Sequence, residues 1–98
     1  MKKLSIIIPA YNEDKTILKV LNRVNTTKSD KINYEVIVVD DGSTDDTKNI
    51  LNVNSHLYDQ LISNEKNIGK GGAVKIGIET ATGDYIIFQD ADLEYDPQ

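Results

Sequence analysis

Short blocks of consecutive apolar residues alternate along this chain with stretches in which apolar residues recur at helical spacing. Leu4-Ser5-Ile6-Ile7-Ile8 is β-branched and bounded by Pro9, so it reads as a buried strand. Asn12 is placed to cap a following helix, with Glu13 and Asp14 in its first turn and Ile17, Leu21 and Val24 on its apolar face. A polar, turn-like segment from Asn25 to Asn33 leads to a second strand, Glu35-Val36-Ile37-Val38-Val39, apolar enough to be covered on both faces. Asp40-Asp41-Gly42 ends that strand. Ser43 with Asp46 then resembles a capping box for a helix that buries Ile50 and Leu51. Leu57 to Ile62, interrupted by Asp59 and Gln60, predicts a weaker edge strand. Gly69-Lys70-Gly71-Gly72 opens a third helix with Val74, Ile78 and Ala81 as its apolar face. Thr82-Gly83-Asp84 turns into a fourth strand, Tyr85 to Phe88.

The resulting order, βαβαβαβ, calls for an α/β fold: a mainly parallel open sheet with helices on both faces and right-handed crossovers. Ligands of such sheets sit beyond the carboxyl ends of the strands, where strand order reverses. With strand order 3-2-1-4 that place lies between the first and fourth strands. Pro9 to Glu13, Asp40-Asp41 and Asp90 to Asp92 then all fall at one end of one sheet.

Composition narrows the chemistry. Ninety-eight residues, 39% of them hydrophobic and 28% charged, suit one domain at most. The net charge of −5 disfavours nucleic acid, whose phosphates demand a Lys/Arg surface. It leaves room for a phosphate ligand bridged to carboxylates by a divalent cation. No cysteine is present, which fits a reducing, cytoplasmic compartment and removes thiolate metal sites. Met1-Lys2-Lys3 before Leu4 to Ile8 has the polarity of a signal peptide, but the apolar run is too short and meets Pro9. No segment approaches the roughly 20 apolar residues that cross a bilayer.

The sharpest chemical signal is Asp90-Ala91-Asp92. Two carboxylates one residue apart at the exit of an apolar strand face the same way and offer oxygen ligands to a hard cation. Asp40 and Asp41 repel one another unless donors or a cation take them up, which points to a binding role for at least Asp41 rather than a solvated turn. Asp45 and Asp46 read as capping residues. Tyr11 and Glu13 are either a plain strand exit and helix start or the flanks of a nucleoside, with Glu13 accepting from ribose hydroxyls or the base. Gly69-Lys70-Gly71 lacks the spacing of a Walker loop, because Asn64 and Gly71 stand where Gly and Ser/Thr belong. What remains is a helix N-terminus and one lysine able to hold an anion, or else glycines for close packing and a surface charge. His56, the only histidine, has no apparent partner and excludes a histidine-based triad.

Four blocks in order carry a family resemblance: Ser5 to Glu13 (SIIIPAYNE), Val38 to Asp45 (VVDDGSTD), Asn67 to Ala73 (NIGKGGA) and Gly83 to Glu94 (GDYIIFQDADLE). In these the chain resembles the N-terminal, nucleotide-sugar-binding half of inverting family 2 glycosyltransferases of the GT-A, Rossmann-like fold. The glycine-lysine block and Asp92-Leu93-Glu94-Tyr95-Asp96-Pro97 are most similar to enzymes that glycosylate a polyprenyl or dolichyl phosphate.

The resemblance implies that Pro9, Ala10, Tyr11 and Glu13 contact the nucleoside, that Asp41 hydrogen-bonds the base with Asp40 close by, and that Lys70, Asp90 and Ala91 belong to the same donor site. It further implies that Asp92, with Asp90 and Glu94, holds Mg²⁺ or Mn²⁺ against the diphosphate of a UDP- or GDP-sugar. Glu94 stands where some members carry Gln.

The same resemblance covers residues 1–98 as a truncated GT-A domain whose acceptor half, catalytic residues included, lies beyond Gln98. The expectation is a chain that binds donor without turning it over, its acceptor a polyprenyl phosphate or a glycan. The longer protein would be cytoplasmic, with membrane association left open. The fourth strand would be an apolar edge able to pair with a second copy. The competing expectation is a non-catalytic nucleotide-binding or assembly module of the same fold. A receiver domain fits poorly, because its acidic pair follows the first strand and its phosphorylated Asp the third.

Overall fold

The computed structural model describes residues 2–91. Strands β1 (Lys3–Ala10), β2 (Asn33–Asp40), β3 (Gln60–Ser63) and β4 (Tyr85–Phe88) alternate with helices α1 (Ile17–Thr26), α2 (Thr47–Val53) and α3 (Lys70–Thr80). All neighbouring strands run parallel in the order β3-β2-β1-β4, so the chain reverses direction across the sheet between β1 and β4. The fold is the α/β, Rossmann-like arrangement that the alternating pattern predicts.

Register decides what each face buries. Ile6, Ile8 and Ala10 of β1 lie beside Val36, Val38 and Asp40 of β2, and that face packs on Ile17, Val20, Leu21 and Val24 of α1 and Leu51 of α2. The opposite face, with Ile37 and Val39, packs on Ala73 and Ile76 of α3. Helices on both faces explain why β2 has no polar position between Val36 and Val39: each of these residues is fully buried.

Several elements depart from expectation. Pro9 lies inside β1, paired with Val39, instead of ending it. Ile7 offers its carbonyl to Gln89 N–H on the β4 side, so the alternation of the strand turns Pro9 to that side too. There β4 has already ended at Phe88, and the missing N–H of proline leaves no ladder partner behind.

Helix α1 begins at Ile17, a turn later than the Asn12 cap predicts, and the helix-start signals at Ser43 and Asp46 form no capping box. Asn12 and Ser43 are engaged between loops instead, and Asp46 accepts from the Asn49 amide of α2. The expected strand from Leu57 splits into a 3-10 turn, Ser55–Leu57, and the short β3, which is at the sheet edge as predicted. Helix α3 buries Ala73 and Gly77, whereas Ile78 is exposed and Val74 only half-buried. The predicted face is thus rotated away. A Cβ on Gly77 would collide with the Ile7 side chain, so the helix approaches the sheet through its smallest residues.

At the amino ends of the strands a buried carboxylate closes the sheet. Glu35 accepts from Ser5 Oγ at 2.8 Å and from Thr82 N–H at 2.9 Å, with Lys3 Nζ 3.6 Å away. Ser5 Oγ in turn accepts from Gly83 N–H at 2.9 Å. Burial pushes the Glu35 carboxyl up, but the Thr82 and Ser5 hydrogen bonds and the Lys3 charge outweigh it and leave the group below its ordinary value.

Candidate functional site

At the carboxyl ends of β1, β2 and β4 a cavity of about 500 Å³ opens, lined by Pro9, Ala10, Tyr11, Glu13, Asp41, Asn67, Gly69, Lys70, Ala73, Asp90 and Ala91. Four sequence blocks, distant along the chain, meet on its walls. The loops holding them are tied by side-chain to backbone bonds. Asn12 adopts a positive φ of 52°, a conformation asparagine tolerates better than most residues. Its N–H donates to Ser43 Oγ at 2.9 Å, and its Oδ1 accepts from Thr44 N–H at 2.7 Å and Asp45 N–H at 3.2 Å. Glu13 N–H donates to the buried Thr47 hydroxyl at 2.9 Å.

These bonds fix the β1 exit against the β2 exit and hold Tyr11 and Glu13 on the cavity wall. Asp45 completes the join, accepting from Thr47 N–H at 2.9 Å and Asp14 N–H at 3.3 Å. Burial raises its carboxyl, and these bonds outweigh that and lower it.

Asp41 organises the opposite wall. It is buried, and Oδ1 accepts from the Asn64 amide at 2.9 Å and Ile68 N–H at 3.0 Å, while Oδ2 accepts from Gly69 N–H at 3.0 Å. The paired carboxylates at the strand end therefore find donors, and Asp41 anchors the loop that aims α3 at the cavity. A carboxylate has about four lone-pair positions, so Oδ2, with one donor among the described residues, keeps capacity to accept another. The two N–H groups it binds are no longer free for an anion, which narrows the helix-N-terminus expectation to the residues from Lys70 on. Gly42 (φ 78°) lets this loop approach, because a Cβ there would sit 2.6 Å from the backbone of both Lys66 and Asn67. Gly69 (φ 92°, ψ 157°) occupies a region essentially reserved for glycine and turns the chain into α3.

Asp40 is not on the cavity wall. It is fully buried, Oδ1 accepts from Ser43 N–H at 3.2 Å, and Oδ2 has no hydrogen-bond partner among the described residues. Its bond to Ser43 N–H places it beneath the β2 exit loop, next to the lining residue Asp41. His56 is exposed on the 3-10 turn, away from the cavity lining.

On the β4 side, Thr16 Oγ1 donates to Ala91 carbonyl at 2.7 Å and tethers the strand exit to the start of α1. Asp90 then projects at the cavity rim, where Lys70 Nζ lies 2.7 Å from its Oδ1. Both side chains are exposed, 69% for Lys70 and 64% for Asp90. An ammonium thus already neutralises the one described carboxylate of the Asp-Ala-Asp motif, which is the kind of place a hard cation takes. Among the described residues no three carboxylates or histidines cluster as a metal site. Asp92 and Glu94, expected as metal ligands, lie outside the described residues.

Sequence reasoning missed Thr16, Thr47 and Asn64, which position the walls; Asn67, Gly69 and Ala73, which line them, stood in the NIGKGGA block without a contact of their own assigned. The first three carry no motif signal, because their partners lie 75, 34 and 23 residues away.

Residues 5–98 match the model of the glycosyl transferase family 2. The chain is similar to the crystal structure of residues 1–349 of S. aureus TarS in complex with UDP-GlcNAc, at 34% identity and a TM-score of 0.82, over 92% of this chain and 26% of that one. It is similar to the mannosyltransferase PcManGT from Pyrobaculum calidifontis, in complex with GDP-Man and Mn²⁺ (30% identity, TM-score 0.78, 93% and 28%). Glucosyl-3-phosphoglycerate synthase from Mycobacterium tuberculosis, with Mn²⁺, UDP and glucosyl-3-phosphoglycerate, matches at 30% identity and a TM-score of 0.76, over 93% and 34%. The chain spans about a quarter to a third of the length of these proteins.

Proposed function

The chain belongs to glycosyl transferase family 2, and from that premise we propose that it forms the donor-binding half of an inverting glycosyltransferase that takes a UDP- or GDP-sugar. The observation that carries this reading is a cavity at the carboxyl ends of β1, β2 and β4 whose lining brings together Tyr11, Glu13 and Asp41 as one group and Lys70 and Asp90 as another. The first group suits a nucleoside: an aromatic ring, a carboxylate for ribose hydroxyls and a buried carboxylate for a base N–H. The second suits a diphosphate and its cation. Similar proteins have been crystallised with UDP-GlcNAc, with GDP-Man and Mn²⁺, and with UDP and Mn²⁺, which supports this division.

In this proposal Asp90, Asp92 and Glu94 hold Mg²⁺ or Mn²⁺. When bound, the cation offsets charge developing on the departing nucleoside diphosphate. Tyr11 and Glu13 orient the nucleoside, Asp41 selects the base while fixing the α3 loop, and Lys70 adds positive charge at the diphosphate. The acceptor side, in the same proposal a polyprenyl phosphate or a glycan, is supplied by residues beyond this chain, so the 98 residues bind donor without turnover. Among the described residues no helix is long and apolar enough to cross a membrane. A cytoplasmic setting, with membrane association supplied from outside these residues, completes the reading.

Calorimetric titration with UDP and with GDP, each with and without Mn²⁺, tests it. One of the two nucleotides should bind only when Mn²⁺ is present, and Asp92→Ala should abolish that binding. Binding indifferent to both the metal and Asp92 would sink the metal role.

A second reading, an assembly module, is favoured by one feature. Tyr85, Ile86, Ile87 and Phe88 of β4 are 57%, 36%, 46% and 52% exposed, an apolar strand open on both faces at the sheet edge.

A further inference from the structure

The Lys70–Asp90 pair is poorly suited to holding the fold together. Both partners are more than half exposed, and exposed ion pairs add little to stability. Its position is more telling than its strength. Lys70 is the first residue of α3, Asp90 follows the end of β4, and both line the same cavity. Lys70 Nζ is 2.7 Å from Asp90 Oδ1, so it occupies the approach that a cation would need.

We propose that Lys70 is a resident counter-ion for Asp90 that a divalent cation must displace, and that a bound nucleoside diphosphate draws the displaced ammonium to itself. The inference rests on the donor-site reading above and adds a coupling to it. Two cations cannot share one exposed carboxylate oxygen without repulsion, so Lys70 lowers the affinity of Asp90 for a metal arriving alone. A diphosphate within reach of Lys70 gives the ammonium another anion and removes that competition. Metal and nucleotide therefore favour each other's binding through a side chain as well as through direct contact, a reciprocal coupling. The α3 lead-in supports the exchange. Asp41 and Gly69 fix the backbone just before Lys70, leaving its flexible four-carbon stem as the moving part.

The test measures Mn²⁺ binding by electron paramagnetic resonance on the 98-residue chain, with no nucleotide and with UDP or GDP at saturation. Wild type is compared with Lys70→Met, Lys70→Arg and Lys66→Met. Lys66 is an exposed lysine on the same loop with no ion-pair partner among the described residues, so its variant controls for loss of one positive charge.

Lys70→Met should bind Mn²⁺ alone about two- to fivefold more tightly, the range an exposed ion pair allows. The enhancement of Mn²⁺ binding by nucleotide should shrink by a similar factor, while Lys70→Arg and Lys66→Met stay close to wild type. Unchanged or weaker binding of Mn²⁺ alone by Lys70→Met overturns the exchange, as does an equal gain in Lys66→Met. Wild type that binds no Mn²⁺ even with nucleotide overturns the donor-site reading, and this inference with it.

Discussion

Two buried carboxylates do most of the organising, one at each end of the sheet. Asp41 takes three donors from the loop before α3, so it sets where Gly69 and Lys70 stand before it meets any ligand. Asp41→Ala leaves those donors unpaired. It should lower stability by about 2 kcal/mol, within the usual cost of stranded buried groups, and weaken nucleotide binding in the same variant. Urea unfolding and calorimetry check the two effects, and a stable variant with intact binding would contradict this role.

Glu35 acts at the other end, far from the cavity. Its carboxyl is held below its ordinary value of 4.5, so the unfolded chain takes up that proton more readily than the folded one. The stability it contributes is present above pH 4.5 and is lost as pH falls through the lower folded value. Glu35→Gln should therefore cost stability at pH 7 and flatten the decline below pH 4.5, read from urea unfolding at a series of pH values. An unchanged pH slope would contradict it. The sequence offered no sign of this residue's weight, because Ser5 and Thr82 reach it only once the strands are in register.

At the scale of elements, the strands were legible and one helix face was not. Ile6 to Ile8 and Val36 to Val39 are continuous apolar runs, and only a sheet covered on both sides buries such runs completely. In α3 the hydrophobic pattern singled out the larger residues Val74 and Ile78, but contact with the sheet is made by Ala73 and Gly77. Close approach selects for small side chains, and hydrophobic spacing does not register a glycine. The helix starts misled for a related reason. Asn12 and Ser43 satisfy neighbouring loops instead of capping their own helices, whereas Asp45 accepts from Thr47 N–H at the start of α2, and nothing local distinguishes the two uses.

The turn into α3 gives a test at this scale. A Cβ on Gly69 meets nothing within 4 Å, so Gly69→Ala pays only for its backbone conformation, about 1–3 kcal/mol. Gly71, also in open space but inside α3, should tolerate Ala without loss or with a small gain. Thermal unfolding of the two variants side by side checks the contrast, and equal effects would contradict the assignment of strain to Gly69.

For the whole molecule, the topology explains why the site could be anticipated at all. A parallel, alternating chain sends every strand exit to one end, so the acidic and polar blocks after β1, β2 and β4 had to converge. The same topology leaves β4 as an edge whose four apolar residues are exposed. Such an edge is a template for pairing with another chain, and we propose a second copy as its occupant in the 98-residue chain. Light scattering should show self-association that rises with concentration and falls in Ile87→Lys. A monomer throughout would count against it.

The central claim is that the cavity between β1 and β4 receives the metal and the diphosphate. Amide spectra of the ¹⁵N-labelled chain, bound to its nucleotide and titrated with Mn²⁺ in place of Mg²⁺, address it directly, since the paramagnetic ion erases signals only from nearby amides. The account predicts loss of the Gly69, Lys70, Asp90 and Ala91 signals while Glu35, Thr82 and Gly83, at the opposite end of the sheet, survive. Survival of the first group, or loss centred on the second, would contradict it.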